Sequence, residues 1–426
     1  MVTGSVVPVG DFTYIGETNI WGNKVYASGQ GVWLFYNAGQ QMVEAYTQFP
    51  LLPGSWDALK RTTTTTSNTH LCVDNGSFII SSPSGASVIG TTTSIQLSMA
   101  AIPSSGLATI GTRQTILAGS VATLQFPQVM VSTDNSIWYS TRIIQKSQAV
   151  KGTTYYWHDT RIGRSSGMNV SGAAFTNKDL LGANAGSSAN SAAQTGNNDS
   201  KIQPLPGGSA LVIVRGHFGT TGIYDPGVMR AVLADSGLNL GSPQLIGSQV
   251  FSSPATITVE MFDAISDQNN NVHIAWLGSN PYCYYYTNLT YLLLLPAFSA
   301  PLQIGSSSTG SLSPPRLTFD SGGQVLRMFT QNLQGLTSGT LHVWSAGSPW
   351  SSWSVEGSVF VNPYTNVLSN NVYRETIGVQ RFASGTFHLT AAAMASAGSN
   401  YAYIQYTNLP AAATGYPYWA ISYSVP

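Results

Sequence analysis

The feature that most constrains this chain is a short unit that recurs along its length. Each copy is a turn rich in Asp, Asn, Gly and Ser, followed at once by an apolar or aromatic strand. Successive strands start on average about 59 residues apart, a little above the roughly 40–50 residues of common propeller blades. The seven copies occupy residues 27–36, 73–80, 132–140, 206–215, 267–276, 319–329 and 382–391.

A second signal follows the first in phase. It is a strand that ends in an aromatic residue and a hydroxyl residue, and its sharpest internal match is Tyr-Thr-Asn-Leu at 286–289 and 406–409. A loop and a further aromatic residue then open another strand. Each unit therefore supplies four strands, and four antiparallel strands repeated in this way predict a propeller.

We therefore predict an all-β fold, a single seven-bladed β-propeller of four-stranded antiparallel blades. A strand near Phe12–Ile15 should close the ring beside a strand near Trp419–Tyr423. The alternative, a string of β-sandwich domains, needs roughly 100 residues for each domain. The predicted blades span 12–61, 62–119, 120–198, 199–252, 253–308, 309–365 and 366–426.

Charge is scarce in this sequence. Only 8% of the residues are charged, with 17 basic and 17 acidic side chains, against roughly 25% in a typical soluble domain. Nucleic acid is excluded as a partner, because neutralising phosphates needs clustered Lys and Arg. An uncharged sequence rich in hydroxyl groups is typical of secreted, cell-wall and virion proteins, so we expect an extracellular surface or a virion.

Several features are expected to be absent. Residues 1–12 have neither a basic region nor an apolar run, so we expect no signal peptide there. The best membrane candidate, Leu289–Ala297, is far shorter than the roughly 20 residues of a spanning helix. Cys72 and Cys283 are more simply explained as buried thiols than as a disulfide. No zinc spacing or nucleotide-binding run occurs, so no metal and no cofactor is predicted.

The units resemble the repeats of sialidase-like propellers, the BNR or Asp-box family. The Asp-box pattern is Ser-x-Asp-x-Gly-x-Thr-Trp. The nearest run here, 132–138, has Ser132, Asp134 and Trp138, but it is one residue shorter and has Ser136 in place of glycine. It also lies earlier in the blade than the family's box does. The resemblance implies a propeller fold and a sialidase-like activity as one alternative.

The candidate binding site follows from the phase of the strands. In a propeller the first strand of each blade lines the central channel, and ligands usually bind at its mouth. Several first strands open with polar residues, among them His70, Gln125 and Lys201. The facing loops offer Tyr36, Arg142 and Gln331 among others. The predicted ligand-binding residues are Arg215, His217, Glu260, Trp276, Arg316, Tyr373, Arg374 and Glu375.

This set suits an acidic sugar. Arginine binds a carboxylate through two hydrogen bonds, aromatic rings stack on sugar faces, and polar groups bind hydroxyls. The competing interpretation is a water-lined channel in which each Arg pairs with a Glu. We expect Arg316 and Arg374 on one face, with Glu260 or Glu375 close enough to pair.

The preferred function is a non-catalytic surface or virion protein. It would attach to a host by binding a glycan or a surface receptor, or pack against other coat or surface proteins. One alternative is a sialidase-like glycoside hydrolase or polysaccharide lyase, with Arg215, Arg316 and Arg374 as the carboxylate-binding cluster and Tyr373 with Glu260 as the reacting pair. No Phe/Tyr-Arg-Ile-Pro motif of the sialidases occurs near the start of the chain. Another alternative is a purely architectural coat component.

Two minor patterns complete the sequence-based predictions. His273 and His388 occupy the same repeat position, second in a strand, which indicates packing. Four sequons offer glycosylation sites if the protein is made in a glycosylating host. Their acceptor residues are Asn75, Asn169, Asn198 and Asn288.

Overall fold

The fold is described by a computed structural model. Within its described residues the regular secondary structure is almost entirely β-strand, with a turn of 3-10 helix at Pro206–Gly208, which confirms the all-β prediction. None of the helical structure in this part of the chain could cross a membrane. The described residues are 3–12, 24–28, 31–38, 41–47, 57–61, 70–74, 77–84, 93–119, 124–151, 153–168, 170, 174–180, 186–188, 200–215, 228–248, 250, 262–267, 269–278, 283–290, 297–305, 311–312, 315–319, 325–333, 340–360, 374–378, 380–381, 392–394, 400–407 and 416–424.

The described strands pair into seven sheets, numbered here in chain order. The first strand of the chain, β1 (Thr3–Phe12), belongs to sheet 7. Sheet 1 contains β2 (Lys24–Ser28), β3 (Gly31–Ala38), β4 (Gln41–Thr47) and β5 (Asp57–Arg61). Sheet 2 contains β6 (His70–Asp74), β7 (Ser77–Ser84), β8 (Thr93–Ala101) and β9 (Gln114–Gly119). Sheet 3 contains β10 (Leu124–Val131), β11 (Ile137–Val150), β12 (Thr153–Ser165), β13 (Phe175–Asp179) and β14 (Gly186–Ser188).

The second half of the chain continues the same order. Sheet 4 contains β15 (Ser200–Pro204), β16 (Ala210–Arg215), β17 (Met229–Ala234) and β18 (Gln244–Gly247). Sheet 5 contains β19 (Phe262–Ser266), β20 (Val272–Leu277), β21 (Tyr284–Thr290), β22 (Ala297–Phe298) and β23 (Leu302–Ile304). Sheet 6 contains β24 (Ser311–Leu312), β25 (Arg316–Phe319), β26 (Val325–Leu333), β27 (Thr340–Gly347) and β28 (Ser354–Phe360). Sheet 7 adds β29 (Arg374–Gly378), β30 (Gln380–Arg381), β31 (Ala392–Met394), β32 (Asn400–Thr407) and β33 (Tyr416–Ser424).

Sheets 1, 2 and 4 have the predicted four antiparallel strands, and the other sheets have more. In sheets 5 and 6 the extra strand arises because one strand position is split in two. β22 and β23 both pair with β21, and Pro301 lies between them. Proline has no N–H to donate, so it interrupts the ladder. Sheet 7 departs furthest, since β30 and β31 run parallel while both β29 and β31 pair with β32.

The recurring turn is a hairpin between the first and second strands of a sheet. In the unit at 267–276, Asp267 Oδ1 accepts hydrogen bonds from the backbone N–H groups of Asn269 and Asn271, both at 2.8 Å. Asn270 has a φ of 63°, a left-handed conformation that asparagine tolerates better than most residues. Aspartate and asparagine are therefore frequent in these units because they fix the turn.

The two ends of the chain meet in sheet 7. β1 pairs antiparallel with β33, from Thr3 opposite Ser424 to Phe12 opposite Tyr416. The predicted pairing of the ends is therefore confirmed, with the strand lying at Thr3–Phe12 instead of beginning near Phe12. Pro8 fits in β1 because β1 is at the edge of the sheet, where one side of the strand needs no donor.

The sheets pack against one another in chain order. β2 contacts β6, β6 contacts β10, and further contacts join β10 to β15, β15 to β19 and β19 to β25. β25 contacts β30 and β31, which in turn contact β2. The apolar core lies between neighbouring sheets, as one cluster from sheets 1 and 2, one from sheets 2 to 4, and one from sheets 4 to 6. The first strands β15 and β19 are buried along their whole length, and so are the charges that they carry.

Close packing within sheet 3 gives a first testable prediction. A Cβ atom at Gly163 would overlap the ring of Tyr139 and the side-chain oxygen of Asn177, and Tyr139 is fully buried. We expect Gly163→Ala to lower the free energy of unfolding by about 1–3 kcal/mol, the usual cost of overpacking. Urea titration measures this loss.

The matched control is Gly347→Ala in β27, where a Cβ would meet no atom within 4 Å. We expect that change to alter stability by less than about 0.5 kcal/mol. Equal effects of the two substitutions would show that the packing around Tyr139 is looser than described.

Candidate functional site

A buried ion pair joins the first strands of sheets 4 and 5. Lys201 Nζ, from β15, lies 3.6 Å from Asp263 Oδ1, from β19, and the two side chains are 1% and 0% exposed. The other carboxylate oxygen, Asp263 Oδ2, accepts a hydrogen bond of 2.9 Å from the backbone N–H of Leu317 in β25. One carboxylate therefore links the first strands of three consecutive sheets.

The local sequence explains why these charges are buried. All five residues of β15 and all five of β19 are buried, because a first strand has a sheet on each side. Removing a charge from water is costly unless it is paired and hydrogen-bonded. The lysine and the aspartate form an ion pair across the gap between two sheets, and the hydrogen bond to Asp263 Oδ2 adds to it.

Neutral polar groups continue the line of contacts between first strands. Gln203 Nε2 donates to the carbonyl oxygen of Ala264 at 3.0 Å, and Ser266 Oγ donates to Gln203 Oε1 at 3.1 Å. Between sheets 3 and 4, the hydroxyl of Ser140, in the second strand β11, lies 2.9 Å from that of Ser200, in the first strand β15. The inner strands are therefore joined by side-chain hydrogen bonds as well as by apolar packing.

Three arginines lie at the same ends of the strands. Arg316 opens β25, immediately before Leu317, and its Nη1 donates to the Pro315 carbonyl at 3.0 Å. Arg215 ends β16, the partner of β15, and Arg142 pairs in register with Gln125 near the start of β10. All three are at most 2% exposed. We call Arg142, Lys201, Arg215, Asp263 and Arg316 the inner charged cluster.

This cluster has a defined chemical character. Its five members carry four positive charges and one negative charge, and arginine does not lose its proton in proteins. Guanidinium groups match the geometry of a carboxylate. The cluster lies where first strands begin and second strands end, and its arginines are of the residue type that binds anions.

The structure describes the side chains of some predicted site residues and not of others. Arg316 and Arg215 lie in the inner charged cluster. Arg374 and Glu375 open β29, the first of the sheet 7 strands in the second half of the chain, and their side chains are outside the described part. The remaining predictions at these strand ends, His217, Glu260 and Tyr373, lie outside the described residues.

Trp276 is a core residue. It is 1% exposed, its ring stacks on Tyr285 with centroids 5.6 Å apart, and a Cβ at Gly247 would lie 2.7 Å from the indole. A sugar would have to displace these neighbours to stack on it. In this structure the predicted aromatic ligand contact instead packs sheet 5 against sheet 4.

The sequence-based prediction missed the central member of the cluster, Asp263. The signal for it is weak but present, since it is an isolated carboxylate within the apolar run Met261-Phe-Asp-Ala-Ile265 of a chain with few charges. The sequence indicates Lys201 only as a polar residue at the start of its strand. Their partnership is invisible in sequence, because 62 residues separate them.

The other predicted sites are also partly placed. Asn288 lies within β21, where its Nδ2 donates to Tyr286 Oη at 3.3 Å and its backbone N–H donates to Ser299 Oγ at 3.1 Å. The sequon residues Asn75, Asn169 and Asn198 are outside the described residues.

Cys283 is buried and is not in a disulfide. Within the described part, no three His, Cys, Asp or Glu side chains group as metal ligands would.

Comparison with known proteins gives likeness of fold at low identity. No family model and no curated protein matches the chain. A polysaccharide lyase, Uly1, is 9% identical over 98% of this chain and 92% of its own, with a TM-score of 0.48. The WD40 domain of coronin from Toxoplasma gondii is 9% identical over 99% and 87%, with a TM-score of 0.46. A thermostable family-43 glycoside hydrolase is 9% identical over 70% and 97%, with a TM-score of 0.37.

Proposed function

We propose that this chain is a carbohydrate-directed propeller that binds an acidic sugar at the inner charged cluster. The observation that carries the proposal is the Lys201–Asp263 pair beside Arg316, where three first strands meet. We also propose, from the composition, that the protein is displayed on a cell surface or a virion.

The proposal includes a ring of seven blades. Its support is the seven sheets, the contacts between first strands from each sheet to the next, and the contacts of β30 and β31 with β2. The proposed blades keep the divisions 12–61, 62–119, 120–198, 199–252, 253–308, 309–365 and 366–426. In such a ring the starts of the first strands surround one mouth of the central channel.

The charge of the cluster selects the ligand. A neutral sugar offers hydroxyls alone, whereas an acidic sugar also offers a carboxylate, whose geometry a guanidinium group matches. A uronic or sialic acid adds a carboxylate that a guanidinium group can bind through two parallel hydrogen bonds, and such binding requires the side chain of Arg316, which is 2% exposed, to become accessible. We therefore propose an acidic glycan, with a host receptor bearing such a glycan as the larger partner.

A second candidate function is cleavage of the same glycan by a hydrolase or lyase. The favouring observation is a carboxylate and an amine 3.6 Å apart, because general acid–base catalysis needs such groups held together. Turnover of chromogenic or uronic acid substrates that disappears in Glu260→Gln or Tyr373→Phe would favour this candidate. Binding without turnover favours the non-catalytic function.

The test of the proposed function is a glycan array followed by titration calorimetry with the best acidic oligosaccharide. We expect Arg316→Ala to weaken binding about tenfold to hundredfold, because a hydrogen bond to a charged group is worth roughly 1.5–3 kcal/mol. The affinity should also fall as salt concentration rises, since the contact is electrostatic.

Arg113→Ala is the matched control, because Arg113 precedes β9 and lies outside the cluster. It should leave the affinity unchanged. An Arg316→Ala protein that folds normally and binds as tightly as the parent would overturn the proposed site. If the protein binds no glycan on the array, the purely architectural function remains as the alternative.

A further inference from the structure

A second buried polar group lies at the opposite ends of the sheet 5 strands, beside the first turn. His273, in β20, is 0% exposed. Its Nδ1 is 2.7 Å from Tyr286 Oη, and its Nε2 is 3.3 Å from Asp267 Oδ2. Asp267 belongs to the turn before β20, and Tyr286 belongs to β21. The imidazole therefore bridges a carboxylate and a phenol in the interior.

This group also contacts the next sheet. The His273 ring meets Trp350 edge-on with centroids 4.5 Å apart, and Tyr286 meets Trp353 edge-on at 5.1 Å. Both tryptophans lie between β27 and β28 of sheet 6. We call Asp267, His273, Tyr286, Trp350 and Trp353 the histidine latch, because these five residues join sheets 5 and 6.

The hydrogen bonds fit a neutral imidazole. The carboxylate of Asp267 only accepts, so Nε2 donates to it and Nδ1 accepts from the Tyr286 hydroxyl. A second proton on Nδ1 would require the Tyr286 oxygen to accept instead. That oxygen already accepts from Asn288 Nδ2 at 3.3 Å. Protonation would thus turn the tyrosine hydroxyl away from its present acceptor.

We propose that the histidine latch is an acid-sensitive contact, which holds sheets 5 and 6 together while His273 is neutral and weakens when His273 is protonated. Within the described residues, His273 faces Asp267 from the first turn, Tyr286 from β21 and Trp350 from sheet 6. Of these three, Asp267 carries the charge that favours the added proton.

The electrostatics agree with this geometry. Burial lowers the pKa of His273 below its usual value of about 6.5, and the nearby Asp267 offsets this only in part. Burial raises the pKa of Asp267, but hydrogen bonds from His273 and Asn271 outweigh it, so that this pKa ends below its usual value. Burial also raises the pKa of Tyr286, which therefore keeps its proton.

The direction of the pH dependence follows from the lowered pKa of His273. The unfolded chain takes up a proton near pH 6.5, and the folded chain does so only at lower pH. The stabilisation by neutral His273 is therefore fully present above about pH 6.5 and is lost as pH falls through the folded-state pKa. One proton changes the opening equilibrium by at most about tenfold for each pH unit in this window.

Hydrogen exchange with mass spectrometry tests the latch. Peptides covering 262–290 and 340–355 should open up to about tenfold more at pH 5.5 than at pH 6.5, after correction for intrinsic exchange rates. We expect His273→Gln, which cannot gain a proton, to abolish this difference. His342→Gln in β27 is the control, since that half-buried histidine lies outside the latch, and it should keep the difference.

A nuclear magnetic resonance titration of the His273 ring gives an independent measurement should His273→Gln fail to fold. A pKa below about 6.5, together with exchange that rises over the same pH range, supports the latch. A His273 pKa at or above 6.5 overturns it. An acid-dependent opening that persists in His273→Gln, or disappears equally in His342→Gln, also overturns it.

Discussion

Replacing Asp263 by alanine is expected to lower the free energy of unfolding by about 3–5 kcal/mol, the usual cost of breaking a buried ion pair. Lys201, which is 1% exposed, would lose its carboxylate partner, and the Leu317 N–H would lose its acceptor. Because the three strands belong to three sheets, the loss acts on two contacts between sheets at once. Urea titration at pH 7 measures this loss of stability. The slope of the unfolding free energy against urea concentration should stay unchanged.

The control is the double substitution Lys201→Met with Asp263→Leu. It removes both charges together and keeps side chains of similar volume, so we expect most of the lost stability to return. A single Asp263→Ala change that costs less than about 1 kcal/mol, as exposed ion pairs do, would contradict the burial of this pair.

Deleting residues 1–12 is expected to have the largest effect of any change considered. The deletion removes β1, exposes the edge of β33, and cuts the covalent path from sheet 7 to sheet 1. We expect it to remove most of the roughly 5–15 kcal/mol that keeps a domain folded. Calorimetry should then show no cooperative transition, and size-exclusion chromatography should show aggregates formed through the open edge.

A variant with residues 1–12 moved to the other end of the chain distinguishes two contributions of β1. One is its pairing with β33, and the other is the backbone connection that it makes between sheet 7 and sheet 1. Thr3 lies opposite Ser424, so residues 1–12 appended after Pro426 through a short turn can pair with β33 as a hairpin. If the pairing of β1 with β33 stabilises sheet 7, the melting temperature of this variant should return most of the way from that of the deletion variant to that of the parent. A deletion variant that melts at the parent temperature would contradict the role of β1.

The strands were predictable because their signals are local. The turn of Asp267 and its neighbours is encoded within five residues, and the apolar strand follows directly. The same hydrogen-bonding pattern recurs at Asp235, which accepts from the backbone N–H groups of Gly237 and Asn239. That second turn lies between β17 and β18 and was not predicted, since its flanking strands carry no aromatic signal.

The site was less predictable because its contacts join distant repeats. The phase of the strands predicted Arg316 at the start of a first strand, and Arg316 opens β25, the second part of the split first strand position of sheet 6. The same phase gave no reason to prefer Asp263 to Glu260, three residues earlier, as the carboxylate at that end. Trp276 fits equally a binding aromatic and a core aromatic by sequence, and only the burial of its ring decides between them.

The pairing of β1 with β33 also sets the order of events during synthesis. β1 is made before its partner, which begins only at Tyr416. At 5–20 residues per second, the ribosome needs roughly 20–80 s to add the intervening 400 residues or so. Throughout that time β1 lacks the strand that it pairs with, so its N–H and C=O groups must avoid wrong partners until β33 leaves the ribosome.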